Sequence, residues 1–461
     1  MSADGSSFVY FRELRLSNVK AFTAGTVLDL RLDGRPAPWT LIVGENGLGK
    51  TTLLQCLALL RPTLNVEQSE RTAAPEPDRV EPALPIYDDE QLIALARVGE
   101  GLRVELEADF SIGVPLRQAA PTRRRGGLIS TSASFRIKPS NKKDKDLGEF
   151  EFSKKKRKGF KQPLVVAYSA ARHAPYRRVE VSSDSEDSAA SLFNPEIELI
   201  DAGQVLEDLD HLRLREEEQA TRLNDSIKSA LARILPEIGD ASKIHVYGPP
   251  LPGRSDARSG VWIETYSGEV PLSSLSIGYQ TMFAWTVDLA WHMAEHHTAS
   301  QEPLLEPAIV LIDELDLHLH PKWQRRVRRD LTEVFPQVQF IVTTHSPVLA
   351  QTYLDTNIAV VRKDGDHATI DNEPKVVRTW RLDQVSASLL YDLEPYPPEV
   401  VEAFRTRGSL LRKAQLSEDE TRALNAANAV IATMPTEDNP EDQKALDLIR
   451  EAAQLIATRP R

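Results

Sequence analysis

A single cysteine, Cys56, in a chain of 461 residues leaves no partner for an intrachain disulfide, which fits a reducing compartment. It falls within an apolar stretch at helical spacing and reads as core packing. Long apolar runs are missing as well. Nowhere do about 18 apolar residues follow one another, so no membrane-spanning helix is expected. The first residues lack the basic-then-apolar order of a secretory signal. A soluble, cytoplasmic chain with no membrane contact is therefore expected. A cationic excess is also absent: 56 Lys and Arg stand against 68 Asp and Glu, for a net charge of -12. That balance excludes a generally basic nucleic-acid binder and leaves only local surfaces for such a role. No internal repeat is found. What is present, 41% hydrophobic and 27% charged residues, is the composition of an ordinary globular chain. Its length permits two or three lobes.

The most informative stretch runs from Trp39 to Thr52. Thr40 to Val43 is a short apolar, β-branched run that reads as a buried strand. Gly44 follows, then four residues, then Gly49-Lys50-Thr51, the spacing of a phosphate-binding P-loop. Leu53, Leu54, Leu57 and Leu60 continue at helical spacing, which gives the loop its strand-to-helix context. Gly44, Asn46, Gly47 and Gly49 let backbone N–H groups close around phosphate oxygens, and the helix start at Lys50, Thr51 and Thr52 adds the positive end of its dipole. Lys50 is suited to the β and γ phosphates, and the Thr51 hydroxyl to Mg²⁺.

Taken in order, residues 1–62 read as the N-terminal part of a nucleotide-binding head. Two strands, Phe8 to Leu16 and Thr26 to Leu32, flank a bend in which Lys20 and Phe22 are placed to meet phosphate and base. A solvated hairpin turn fits those two residues equally well. Residues 63–162 read as an inserted antiparallel β subdomain, with strands at 91–98, 102–112, 128–137 and 149–152. Its connections carry Arg123, Arg124 and Arg125, then Lys142, Lys143, Lys145 and the run from Lys154 to Lys158. That run is a candidate nucleic-acid contact, with a solvated hairpin tip as the alternative. Residues 163–270 read as a buried strand ending at Tyr168, a helical lobe over 206–238 and two paired strands. Residues 271–385 complete the head, and 386–461 form a charged helical tail interrupted by prolines.

Three further motifs fall in that second part of the head. The apolar strand 308–312 ends in Asp313 and Glu314. Downstream of a P-loop, Asp313 is suited to hold Mg²⁺ and Glu314 to polarise the attacking water. Leu275-Ser276-Ile277-Gly278-Tyr279-Gln280 places a Ser-x-Gly turn at the start of a second helix. An ATPase that sandwiches nucleotide between two subunits needs such a turn, because Ser276 and the Gly278 amide can bind the γ-phosphate held by the partner's P-loop. His345, just past the strand 339–343, is placed as a γ-phosphate sensor. His292 and His296 have i, i+4 spacing on a helix, but no nearby acid or cysteine is expected to complete a zinc set.

In this order the four motifs resemble an ABC-type ATPase head of the RecF/SMC/OLD class. The run Ile312 to Pro321, with Thr343-Thr344-His345-Ser346-Pro347, is similar to an OLD-like AAA subgroup. That subgroup includes the ATPase subunits of bacterial anti-phage systems of the Septu and PARIS kind. The resemblance covers residues 11 to 362 and implies an α/β fold: a mixed central sheet with an inserted antiparallel β subdomain, a helical lobe and a C-terminal helical tail. It implies ATP and Mg²⁺ as cofactors, ATP hydrolysis, a homodimer or higher oligomer through ATP-sandwich heads, and an effector nuclease as partner. A RecF-like DNA-repair or DNA-binding clamp is the alternative function. Two features depart from the pattern. No coupling glutamine follows the strand ending at Tyr168, and no carboxylate-rich nuclease segment follows residue 362, so the resemblance does not extend to nuclease activity.

Overall fold

The computed structural model describes residues 8–64, 80–82, 95, 97, 104–112, 115–116, 129–137, 148–152, 162–171, 187–194, 196–235, 238–248, 258–352, 356–373, 397–413 and 416–432. Strands β1 (Val9–Ser17) and β2 (Thr26–Asp29) form a hairpin, and β3 (Arg31–Leu32) pairs with β4 (Arg35–Pro36). β5 (Trp39–Gly44) delivers the chain to α1 (Lys50–Leu59). β6 (Pro62–Leu64) and β7 (Val80–Pro82) pair briefly. β8 (Val104–Ile112), β9 (Ile129–Ile137), β10 (Gly148–Phe152) and β11 (Leu164–Tyr168) follow. Helices α2 (Ala202–Leu214) and α3 (Glu218–Ile234) precede a three-stranded antiparallel sheet of β12 (Ile244–Tyr247), β13 (Gly260–Thr265) and β14 (Gly268–Pro271). Then come α4 (Ile277–His296), β15 (Ala308–Ile312), α5 (Pro321–Gln324), α6 (Val327–Val334), β16 (Val338–Thr344), α7 (Pro347–Thr352), and the hairpin β17 (Asn357–Asp364) and β18 (His367–Asp371).

The central sheet runs β11-β15-β16-β5-β17-β18, with every neighbouring pair parallel except the last. Strands buried on both faces need continuous apolar sequence, and β5, β11, β15 and β16 are buried at every position. The expected α/β head is present. The order of strands matters most for the site: β16 lies between β5 and β15, so three strand ends converge at one edge of the sheet. Ligands in open α/β sheets bind at the carboxyl ends of parallel strands.

Strands β8, β9 and β10, expected as an inserted sheet, do not form a sheet of their own. β8 pairs with β1 over its whole length, and the five-stranded order is β10-β9-β8-β1-β2. The physical reason is the buried alternation Leu14, Leu16 against Leu106, Ala108, Phe110, all at most 2% exposed, which leaves β1 no reason to remain an open edge. Of the strand expected over 91–98, only Leu95 and Arg97 are described, and neither is in a strand. The basic residues 123–125 and 142–158, apart from the strand segment 148–152, lie outside the described residues. The single helical stretch expected from 206 to 238 breaks after Leu214 and resumes at Glu218, with Glu216 in the left-handed region at φ +62°. Asp201 caps α2 by accepting from the Gly203 and Gln204 amides. α4 begins four residues earlier than the Thr281 expected.

Residues 386–461 cluster as a second unit. Its described part is α8 (Pro398–Leu410) and α9 (Glu418–Ala432), which pack on one another; Ala403, Leu410 and Ala427 are their buried residues. Among the described residues, no helix is long and apolar enough to cross a membrane.

Candidate functional site

Three loops meet at the end of the central sheet. The P-loop leaves β5, Asp313 and Glu314 leave β15, and Thr343 to His345 end β16. Gly49 sits at φ +94°, a left-handed conformation that a side chain resists, and a Cβ there would lie 2.8 Å from the Phe22 ring. Phe22 is fully buried beneath the loop. The expectation that it meets a base is therefore corrected: it is packing that supports the P-loop from below. Lys20, at φ +44°, stays exposed in the same bend, its amide donating to the Leu95 carbonyl at 2.8 Å. Gly44 ends β5 against the Val361 carbonyl, while Asn46 and Gly47 are exposed and Thr52 is buried in the first turn of α1.

Lys50 is only 6% exposed. Its ammonium donates to the carbonyls of Gly44 and Glu45, both at 2.9 Å, and lies 2.7 Å from His345 Nε2. An ammonium has no acceptor, so His345 Nε2 must accept and the ring proton must sit on Nδ1. Burial holds the Lys50 ammonium below its ordinary range against the pull of Asp313, Glu314 and Asp316. Burial first, and then the Lys50 charge, hold His345 below its ordinary value. His345 is thus neutral at pH 7.

Asp313 is held from both sides. Thr51 Oγ1 donates to its Oδ2 at 2.7 Å, and Thr343 Oγ1 donates to its Oδ1 at 2.6 Å. Thr343 Oγ1 also accepts the Glu314 amide at 2.8 Å. Glu314 takes φ +50°, uncommon for a residue with a side chain and a small store of strain. Its Oε1 lies 4.0 Å from His345 Nε2. Asp316 accepts from the Thr344 hydroxyl and, at 3.3 Å, from the His345 amide. Gln324 accepts from Ser346 Oγ at 2.6 Å and donates to the Leu319 carbonyl at 3.0 Å. These bonds tie the loop after β15 to the loop after β16. Thr343 and Asp316 lie in the two motif runs that carry the family resemblance, but the sequence assigned neither of them a role of its own.

Ser276 and Gly278 do not enter this bonded set. Ser276 caps α4 without a side-chain bond to the helix, and Ile277 beside it is 60% exposed. Gly278 is buried against the loop after Glu314: a Cβ there would lie 2.3 Å from the His318 carbonyl oxygen. His292 Nε2 lies 3.7 Å from Asp288, whereas His296 Nε2 pairs with the Gln162 carbonyl. No cluster of three or more His, Cys, Asp or Glu suited to a metal is found among the described residues.

The residues fit a Mg²⁺-bound nucleoside triphosphate. The first N–H groups of α1 have no intrahelical acceptor, and its cap, Gly49, offers no side chain. Gly47, at φ +79°, leaves open space where a Cβ would stand. A buried ammonium, a hydroxyl and a carboxylate complete the donor set for phosphate oxygens and a hard cation.

A family model described as "AAA domain, putative AbiEii toxin, Type IV TA system" matches residues 40–350, and one described as "AAA domain" matches residues 13–60. Septu protein PtuA of Bacillus mycoides (strain KBAB4) is 23% identical over 405 residues, covering 86% of this chain and 47% of that protein. The chain thus spans about half the length of that relative. Retron Vc95 probable ATPase of Vibrio cholerae serotype O1 biovar El Tor is 22% identical over 407 residues, covering 76% of this chain and 74% of that protein. Among solved structures, the SMC head domain from Thermotoga maritima aligns with a TM-score of 0.40 and 13% identity, over 79% of this chain and 98% of its own.

Proposed function

The chain belongs to the AAA-domain family whose model spans residues 40–350, and on that premise we propose that it is a dimeric switch ATPase. In this reading it is the regulatory subunit of a prokaryotic anti-phage complex that controls a partner effector such as a nuclease. The observation that carries the ATPase part is the bonded set joining Lys50, Thr51, Asp313, Thr343 and His345 at one sheet edge. The defence part rests on the motif resemblance and on relatives named as a Septu protein and retron probable ATPases.

Bound Mg²⁺-ATP supplies a triphosphate whose terminal bond is cleaved by water. Lys50 would exchange its carbonyl partners for phosphate oxygens, and its departure from His345 Nε2 would free that nitrogen to accept from water or, once the ring proton moves from Nδ1 to Nε2, to donate toward the γ position. Thr51 and Asp313 would hold the metal, with Thr343 keeping the Asp313 carboxylate aimed. Glu314, set by its left-handed backbone and its amide bond to Thr343, orients the attacking water and receives its proton. Ser276 begins a helix whose N-terminus is presented outward beside exposed Ile277, as the site on a second subunit requires. Each composite site then takes Lys50 from one chain and Ser276 from the other.

Mixing tests this sharing. Lys50→Ala and Ser276→Arg subunits are each expected to be inactive alone, and their mixture to regain one intact site per heterodimer. If the mixture stays as inactive as its parts, the shared-site reading fails.

A further inference from the structure

Asp288 lies in the body of α4, 3% exposed, among apolar neighbours. Both of its oxygens are committed. Oδ2 accepts from the Tyr168 hydroxyl at 2.7 Å, and Oδ1 accepts from the Ile200 amide at 2.9 Å. Tyr168 is the last residue of β11. Its carbonyl accepts the Asp313 amide at 2.9 Å, and its ring stands edge-on to Trp285 of α4, with centroids 5.4 Å apart. Ile200 immediately precedes Asp201, the residue that caps α2. One bonded path therefore joins the backbone of Asp313, the edge of the central sheet, the middle of α4 and the entrance to the helical pair α2 and α3.

A buried, hydrogen-bonded carboxylate adds little stability compared with a well-packed apolar residue. What it does is fix one arrangement of the elements it joins. The elements joined here serve different nucleotides in the proposed dimer. Asp313 belongs to the site on its own P-loop, whereas α4 carries Ser276 into the site on the partner. A helix is stiff, and Ser276 lies twelve residues before Asp288, roughly 18 Å along the axis, so a shift at Asp288 moves the Ser276 end.

We propose that Tyr168 and Asp288 are positioning residues that couple the two composite ATP sites of the dimer. They transmit the state of Asp313 to the helix that completes the opposite site. The proposal rests on the shared-site ATPase reading and adds to it the route by which the sites communicate. It also gives the chain a coupling device at the end of β11, where no glutamine follows Tyr168.

The test uses the full-length protein with Mg²⁺-ATP. Tyr168→Phe keeps the ring against Trp285 and the carbonyl that accepts the Asp313 amide, and deletes only the hydroxyl. Its affinity for a fluorescent ADP analogue is expected to stay within about twofold of wild type. The Hill coefficient for ATP hydrolysis should fall from the wild-type value toward about 1, with kcat reduced about tenfold. Asp288→Asn, measured in parallel, should move the Hill coefficient in the same direction, and it decides the matter if Tyr168→Phe does not fold. A cooperative wild type with equally cooperative variants overturns the coupling and leaves the ATPase reading intact. So does a lowered melting temperature with an unchanged Hill coefficient, which is the behaviour of a merely structural pair. A wild type that neither associates on adding ATP nor hydrolyses it cooperatively overturns both.

Discussion

Gly278 has two competing explanations, and one substitution separates them. The sequence suggests that its amide serves a phosphate, whereas the structure adds a steric reason that needs no ligand. In Gly278→Ala the new Cβ would stand 2.3 Å from the His318 carbonyl oxygen, 3.3 Å from its carbon and 3.7 Å from its Cβ. Ordinary contact begins at 3.4 Å, so a gap of about one ångström must open, and a backbone oxygen cannot rotate out of the way. His318 is already in the left-handed region at φ +65°. Overpacking of this kind costs about 1–3 kcal/mol. Opposing it, alanine is about 1 kcal/mol better than glycine within a helix. The clash wins, leaving a net loss of up to about 2 kcal/mol, read as a lower urea midpoint in ligand-free protein. The loop that must move also carries Asp316, which holds Thr344 and the His345 amide, so hydrolysis should fall as well. A ligand-free Gly278→Ala protein as stable as wild type, or more so, would refute the steric account and leave the glycine to its nucleotide role alone.

Two further outcomes follow from the same geometry. Glu314→Gln should leave ATP binding intact and slow hydrolysis by orders of magnitude, because Thr51, Thr343 and Asp313 are untouched while the carboxylate proposed to orient water is lost; near-wild-type turnover in a steady-state phosphate-release assay would move that role to His345. Burial pushes the Cys56 thiol up to about 12 from its ordinary 9.0, so the folded chain should resist thiol reagents at pH 8 and react only on unfolding. Because the folded value lies above the unfolded one, the stability tied to this group is complete below about pH 9 and is lost as pH rises toward 12. Rapid labelling of native protein at pH 8 would contradict the burial.

The parts of the site that were legible in the sequence are those whose chemistry needs contiguous residues. A P-loop must be a short glycine-bearing loop between strand and helix, and the acids at the end of β15 must follow an apolar run, so Lys50, Thr51, Asp313 and Glu314 were each marked by their neighbours. Thr343 lay inside a motif run, yet its hold on Asp313 was not legible, because that bond exists only once β16 is known to lie between β15 and β5, and β5 is about 300 residues earlier in the chain. Phe22 shows the same limit from the other side. Beside Lys20 in a polar bend it has the appearance of a recognition residue, whereas the fold packs it in the hydrophobic core with Gly49 against its ring. The pairing of β8 with β1 crosses an insertion of the kind that local alternation cannot register. The contact between Tyr168 and Asp288 spans 120 positions, and neither residue carries a motif. Local pattern thus identifies groups that must touch a ligand together, while strand order decides which hydroxyls and carbonyls hold them still. A site of this kind shows its contiguous groups to a reader of sequence and conceals bonds such as that between Tyr168 and Asp288, which are built from single residues on elements far apart in the chain.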